Sequence, residues 1–298
     1  MLLASTFASS QISAADHTFI VSGLGGEPEY DARFRQQANA IADAARKSAA
    51  EESHVVALSG EQVTQEAVRR ALTDLAQEMN ADDTITIVLI GHGSFDGEEY
   101  RFNLPGPDLT ATELGALFEQ LPARNQLIVN ATSASGATID RWKRDGRLII
   151  TATKGGGERT ATRFAQHWAQ AASTSAADVN KDDLVTAAEA FDYASRQVEA
   201  AFKADVSLAT EHARLEGDGA ERFAIARFGA ARASSGDPEI AALLKQRGAL
   251  ELELTAVKER KPTLVEEAYY DDLEGVLVKL ALLQRQIDAK QATLGSDG

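Results

Sequence analysis

Three stretches of this 298-residue sequence carry residues that could do chemistry. The first is His92, flanked by Gly91 and Gly93 directly after the apolar run Thr84 to Ile90. Histidine is the side chain whose ordinary pKa suits proton transfer near neutrality. Glycine on both sides strips bulk from the backbone, which would let the imidazole face a bound chain. The second stretch is Asn130-Ala131-Thr132-Ser133-Ala134-Ser135-Gly136, after the apolar run Leu127 to Val129. Its hydroxyls are candidate nucleophiles, but a serine attacks only when an oriented base takes its proton. The third is Asp178 to Glu189. Asp178, Asn180, Asp182, Thr186 and Glu189 place oxygen atoms at positions 1, 3, 5, 9 and 12 of a loop, and Leu184 offers a carbonyl at position 7. That spacing wraps hard oxygens around one calcium ion. Asp183 stands where the sharp turn favours glycine, and an acidic helix start without metal is the alternative reading. His54, His167 and His212 lie at a strand start or in helix-like and irregular surroundings, and read as structural or surface residues.

Five short apolar runs position the first two stretches: Phe19 to Val21, Val55 to Leu58, Thr84 to Ile90, Leu127 to Val129 and Leu148 to Ile150. Each is nearly continuous and ends in small or turn residues, as strands buried on both faces of a parallel sheet do. Helix-like stretches lie between them. Asp31 to Ala50 is rich in Ala, Arg and Gln. Val63 to Met79 is apolar close to every 3.6 residues, and Thr110 with Glu113 forms a capping-box pattern. Strand alternating with helix predicts a doubly wound α/β domain with a mostly parallel sheet over residues 16–230. In such sheets ligands bind beyond the carboxyl ends of the strands, where His92 and Ser133 fall. Glu27, Glu29 and Asp31, after the first strand, are either a preference for basic side chains or a solvated acidic loop.

Residues 231–238 (ARASSGDP) read as a linker. Beyond them Ile240, Leu243, Arg247, Leu250, Leu254 and Val257, and after Pro262 Tyr269, Leu273, Val276, Leu280, Leu283 and Ile287, alternate steps of three and four. This predicts an antiparallel helical hairpin over 239–294. It either packs on its own domain or serves as an oligomerisation or docking arm.

Composition narrows the partners. The net charge is −15, which disfavours nucleic acid and anionic membrane surfaces. There is no cysteine, which excludes disulfides, thiolate metal sites and thiol catalysis. No apolar run reaches the roughly 20 residues needed to span a bilayer. Residues 1–15 are mildly apolar and end in Ser13, Ala14 and Ala15, so a signal remnant or a flexible N-terminus is expected. The first implies a periplasmic or secreted protein, the second leaves the cytoplasm open.

A strand ending in His-Gly, followed about forty residues later by a strand ending in Asp/Asn-x-Cys-x-Ser-Gly, resembles the caspase, legumain and gingipain group of cysteine peptidases. Leu148 to Lys154 (LIITATK), Arg159 to Phe164 (RTATRF), Asp178 to Tyr193 and Thr210 to Ala213 resemble secreted bacterial legumain-like members of that group. The resemblance spans residues 17–228. It implies a caspase/legumain-like three-layer sandwich, with the C-terminal hairpin beside it. It implies His92 as general base or acid, Ser133 at the position of the nucleophilic cysteine (Thr132 if shifted by one), and backbone donors near each as an oxyanion hole, around Gly93, Asn130 and Thr132. Serine for cysteine, whether natural or introduced, predicts very weak or absent hydrolysis, because a dyad that ionises a thiol does not ionise a hydroxyl. The expectation is a pseudo-peptidase binding a peptide or protein in the strand-end cleft. The alternatives are an active endopeptidase with a Ser133/His92 dyad and an assembly protein acting through the hairpin. Calcium is the one cofactor expected.

Overall fold

The computed structural model describes residues 14–48, 53–228, 237–261 and 265–295. Most of the expected signal remnant, most of the linker and Pro262 lie outside the described residues. From the N-terminus run strand β1 (Asp16–Ser22), helix α1 (Pro28–Ser48), β2 (Ser53–Leu58), α2 (Gln65–Glu78) and β3 (Thr84–Ile90). A small antiparallel sheet follows, of β4 (Gly93–Phe95), β5 (Tyr100–Phe102) and β6 (Leu109–Thr110). Then come α3 (Ala111–Phe118), β7 (Asn125–Asn130), a 3-10 turn (Ser135–Thr138), α4 (Ile139–Trp142), β8 (Arg147–Thr151), α5 (Phe164–Ser173), β9 (Leu184–Thr186), α6 (Ala187–Ala204), β10 (Arg214–Glu216) and β11 (Ala224–Arg227). Two long helices end the described chain, α7 (Pro238–Glu259) and α8 (Glu266–Gly295).

The central sheet has the order β10-β8-β7-β3-β1-β2. All its pairs are parallel except β10 on β8, which closes one edge antiparallel. Alternation along each strand feeds two cores. On one face Ile20, Val88, Ile90, Val129 and Ile150 pack under α1, α5 and α6. On the other Phe19, Val21, Ile87, Leu89 and Ile149 pack under α2, α3 and Trp142. The result is a three-layer α/β sandwich, the architecture that runs of doubly buried strands require.

Local chemistry sets the element boundaries. Helix α2 starts at Gln65 rather than Val63, because the Thr64 hydroxyl caps it by accepting the Ala67 N–H at 3.3 Å. Val63 then serves as the apolar residue before the cap and joins Val68 in the core. Helix α3 has its capping box: Thr110 Oγ1 accepts the Glu113 N–H at 3.1 Å, and Glu113 Oε2 accepts the Thr110 N–H at 2.9 Å. The buried Gln126 of β7 ties strand to helix end, donating to Ala123 O at 3.0 Å and accepting from Arg147 Nε at 2.9 Å.

Helices α7 and α8 pack antiparallel through Leu254, Val257, Tyr269, Leu273, Val276 and Leu280. Lys279 with Glu253 and Arg260 with Asp272 pair across them. None of the helices among the described residues is long and apolar enough to cross a membrane.

Candidate functional site

The chain leaves β1 toward β2 on one side, then returns to place β3 on the other side of β1. The carboxyl end of β1 leads into α1 and that of β3 into the β4–β6 sheet, and this reversal of strand order is the kind of position where open α/β sheets bind ligands. His92 lies there, two residues beyond β3. Continuing the strand alternation, its ring turns to the α1 face, where it meets Tyr30 and Phe34 edge-on at centroid distances of 5.0 and 5.2 Å. Burial depresses the His92 pKa, and Arg33 lowers it further, against the opposing effects of a Gly25 backbone hydrogen bond and of Asp31 and Glu27. The imidazole is thus held neutral and half-buried. Of the acidic residues expected in a loop, Glu27 stays in it, whereas Glu29 and Asp31 lie in the first turn of α1, with Asp31 Oδ1 accepting the Gly25 N–H at 2.7 Å. Asp96, four residues on, does not orient His92. It accepts from Arg101 Nη1 at 2.6 Å, and that guanidinium together with the Glu99 and Glu98 N–H groups holds its pKa well below the usual carboxylate range.

The flanking glycine works differently from the sequence expectation. A Cβ on Gly93 would stand 2.5 Å from the Ser133 carbonyl oxygen and 2.5 Å from the Tyr100 ring. Gly93 therefore lets the ends of β3 and β7 touch through backbone rather than clearing space around the imidazole.

After β7 the chain turns sharply, with Ala134 at φ 56°. Asn130, Thr132 and Ser133 are all buried. Thr132 Oγ1 bonds to Tyr100 Oη at 2.6 Å and Asn130 Oδ1 at 2.7 Å. Burial pushes the Tyr100 hydroxyl up to about 12, so this network is neutral. Ser133 is 1% exposed and its Oγ has no hydrogen-bond partner. His92 and Ser133 are thus brought to neighbouring strand ends without being bonded to each other. Asn130 and Thr132 support the turn from inside and line no open cleft.

The adjacent loop after β8 is locked to this turn. Ser135 Oγ and Thr153 Oγ1 lie 3.1 Å apart, the Gly136 N–H donates to Thr153 Oγ1 at 2.9 Å, and the Ala134 N–H donates to Glu158 O at 2.7 Å. A Cβ on Gly136 would meet Gly155 N at 2.3 Å and Thr153 O at 2.5 Å, both backbone.

The acidic stretch 178–189 folds into a tight loop, then β9, then α6. Asp183 takes the left-handed conformation, φ 63°, that the spacing reserves for glycine. The oxygens, however, are engaged. Asp178 accepts the Asp182 and Asp183 N–H groups, and Asn180 Oδ1 accepts the Asp182 N–H at 3.0 Å. Glu189 accepts from Val179 N and caps α6 through Thr186. Leu184 and Thr186 belong to β9, which pairs with β11. Asp182 Oδ2 accepts from Arg247 Nη2 of α7 at 2.8 Å, between side chains 11% and 12% exposed. Among the described residues no three His, Asp or Glu side chains converge to hold a metal.

Sequence reasoning missed a second histidine at the strand ends. His212 Nδ1 lies 2.5 Å from Glu158 Oε1, and the His212 N–H donates to Glu158 Oε2 at 3.1 Å. Next to it Glu211 is buried, with its Oε2 accepting the Arg163 N–H at 2.7 Å and its Oε1 without a partner. Nothing in the sequence announces a pair 54 positions apart, because the antiparallel β10 that brings it in is only three residues long.

No family model matches the chain, and no curated protein matches it. Solved structures do. Protein GSU0716 from Geobacter sulfurreducens is similar with 12% identity over 70% of this chain and 95% of its own, TM-score 0.44. The Drosophila initiator caspase Dronc is similar with 10% identity over 68% of this chain and 78% of its own, TM-score 0.43. Caspase-1 from Spodoptera frugiperda is similar with 11% identity over 68% of this chain and 85% of its own, TM-score 0.45.

Proposed function

We propose that this chain is a peptidase homologue of the caspase and legumain kind, which binds a peptide or protein segment at its strand ends and does not cleave it through Ser133. One observation carries the reading: Ser133 Oγ is buried and has no acceptor for its proton. A serine hydroxyl without an oriented base is a poor nucleophile, and the His92 ring, packed against Tyr30 and Phe34, makes no hydrogen bond to Ser133 Oγ. The reversal of strand order between β1 and β3 supports peptide binding at this end of the sheet. The test is turnover of a mixed peptide library by the wild-type chain, Ser133→Ala and Ser133→Cys. No turnover by wild type is expected. Wild-type turnover that disappears in Ser133→Ala would instead establish the endopeptidase reading.

The hairpin favours a second role in assembly. Tyr270, Leu277, Val278 and Leu282 of α8 are exposed, although α8 already buries Val276, Leu283 and Ile287. Loss of any self-association on truncation after residue 236, read by sedimentation velocity, is the expected outcome. Calcium stays a proposed ligand of residues 178–189. Arg247 neutralises Asp182 there, so Arg247→Met is expected to tighten calcium binding in a calorimetric titration. An extracytoplasmic location is part of the same proposal and is tested by fractionation of the native host.

A further inference from the structure

A helix packed on one partner needs one apolar stripe, and α8 carries two. Tyr269, Leu273, Val276 and Leu280 form the first and lie against α7. Val278 and Ala281 fall on the opposite side of the helix, with Leu277 and Leu282 flanking them. These four side chains are neighbours, at spacings of one, three and four residues. All four are exposed, and nothing among the described residues covers them.

The charges around this patch have a symmetry of their own. Glu274 stands four residues before Val278, and Arg285 four residues after Ala281, so both lie on the line of the patch. Both are exposed and neither forms an ion pair among the described residues. Read backwards from its centre, the stripe repeats its apolar positions and reverses the sign of its charges. A second copy turned about a two-fold axis between Lys279 and Leu280 sets Leu277 level with Leu282 and Val278 level with Ala281. The same turn sets Glu274 level with Arg285, once at each end, as an isologous contact requires. In a parallel pair Glu274 would meet Glu274 and Arg285 would meet Arg285, which like-charge repulsion opposes. An unrelated partner would need no such self-complementarity.

We propose that two copies of this chain associate through α8, antiparallel about that axis, and so join two hairpins into a four-helix bundle. The pairing rests on the assembly reading of the hairpin above, and adds to it the partner, the face and the register. With so few apolar side chains from each copy the interface is small, which sets the association in the weak range.

Sedimentation velocity on the full wild-type chain, over a concentration series, should show a monomer passing to a dimer. Monomer throughout overturns both the pairing and the assembly reading. Val278→Lys puts an unpaired charge into the seam from both copies and should weaken the dimer roughly tenfold or more. Its helix content, read by circular dichroism, should stay unchanged, because the position is exposed. A dimer that truncation after residue 236 abolishes but Val278→Lys leaves intact overturns the α8 face and keeps the assembly reading. The register is read by disulfides, which a cysteine-free chain gives without background. Glu274→Cys and Arg285→Cys chains are oxidised with diamide, mixed and separately. The mixture should cross-link between the two kinds of chain, whose cysteines are level. Either alone should not, because its two cysteines stand eleven residues apart along the seam, about 16 Å at the helical rise, too far for a disulfide. Cross-linking of each variant alone as readily as in the mixture overturns the antiparallel order, and so does an intact dimer that cross-links in neither.

Discussion

Glu211 is a carboxyl group 4% exposed to solvent, with one of its oxygens unpartnered. Burial, reinforced by the nearby Glu158 and opposed by the Arg163 N–H, raises its pKa from the ordinary 4.5 to about 7. The folded state therefore holds a proton that the unfolded chain has released. The stability this group contributes is full below about pH 4.5 and is lost as pH rises to about 7. Glu211→Gln keeps an acceptor for Arg163 and removes the charge. It is expected to stabilise the fold above pH 7 by about 1–3 kcal/mol, with no gain below pH 4.5, read from urea midpoints across pH. Gly136→Ala should do the opposite at every pH. Backbone atoms occupy the space of its Cβ and have no flexible end to move, so a loss of about 2 kcal/mol or more is expected in the same measurement. At this scale the sequence spoke through residue type and place. His92 stood out because a strand end and two glycines framed it. Its actual neighbours, Tyr30 and Phe34, come from a helix that no spacing rule links to it, and nothing linked His212, read as a structural or surface residue, to Glu158.

The buried strands were legible because a strand covered on both faces must be apolar along its whole length, as TITIVLI in β3 is. Capping was equally legible, since a Thr followed three residues later by Glu can satisfy two orphan donors at once. Thr186 and Glu189 do so at α6 while also closing the acidic loop. Thr186→Ala is expected to cost about 1 kcal/mol and to be read in thermal unfolding by circular dichroism. The short antiparallel pieces were not legible. β9 is Leu184-Val185-Thr186 and finds its partner β11 across α6 and β10. Three residues carry too little periodicity to separate a strand from a loop. The glutamate read as a calcium ligand is the same one that caps the helix, and spacing alone does not choose between those uses.

At the scale of the whole chain, alternating strands and helices prescribed the layered sandwich, and steps of three and four prescribed the pair of antiparallel helices. How the pair meets the sandwich was not prescribed, because one arginine among heptad positions looks like any other solvated charge. Arg247 turns out to reach Asp182, where both side chains are almost dry. Removing one member of such a pair strands the other without solvation, at a cost of up to about 3–5 kcal/mol. The consequence is cooperativity. With the pair intact, heat should melt the sandwich and the two C-terminal helices in one calorimetric transition. In Arg247→Ala the helices should come away first, and the endotherm should divide into two peaks whose separation reports how much one ionic contact binds the parts of the molecule into a single unfolding unit.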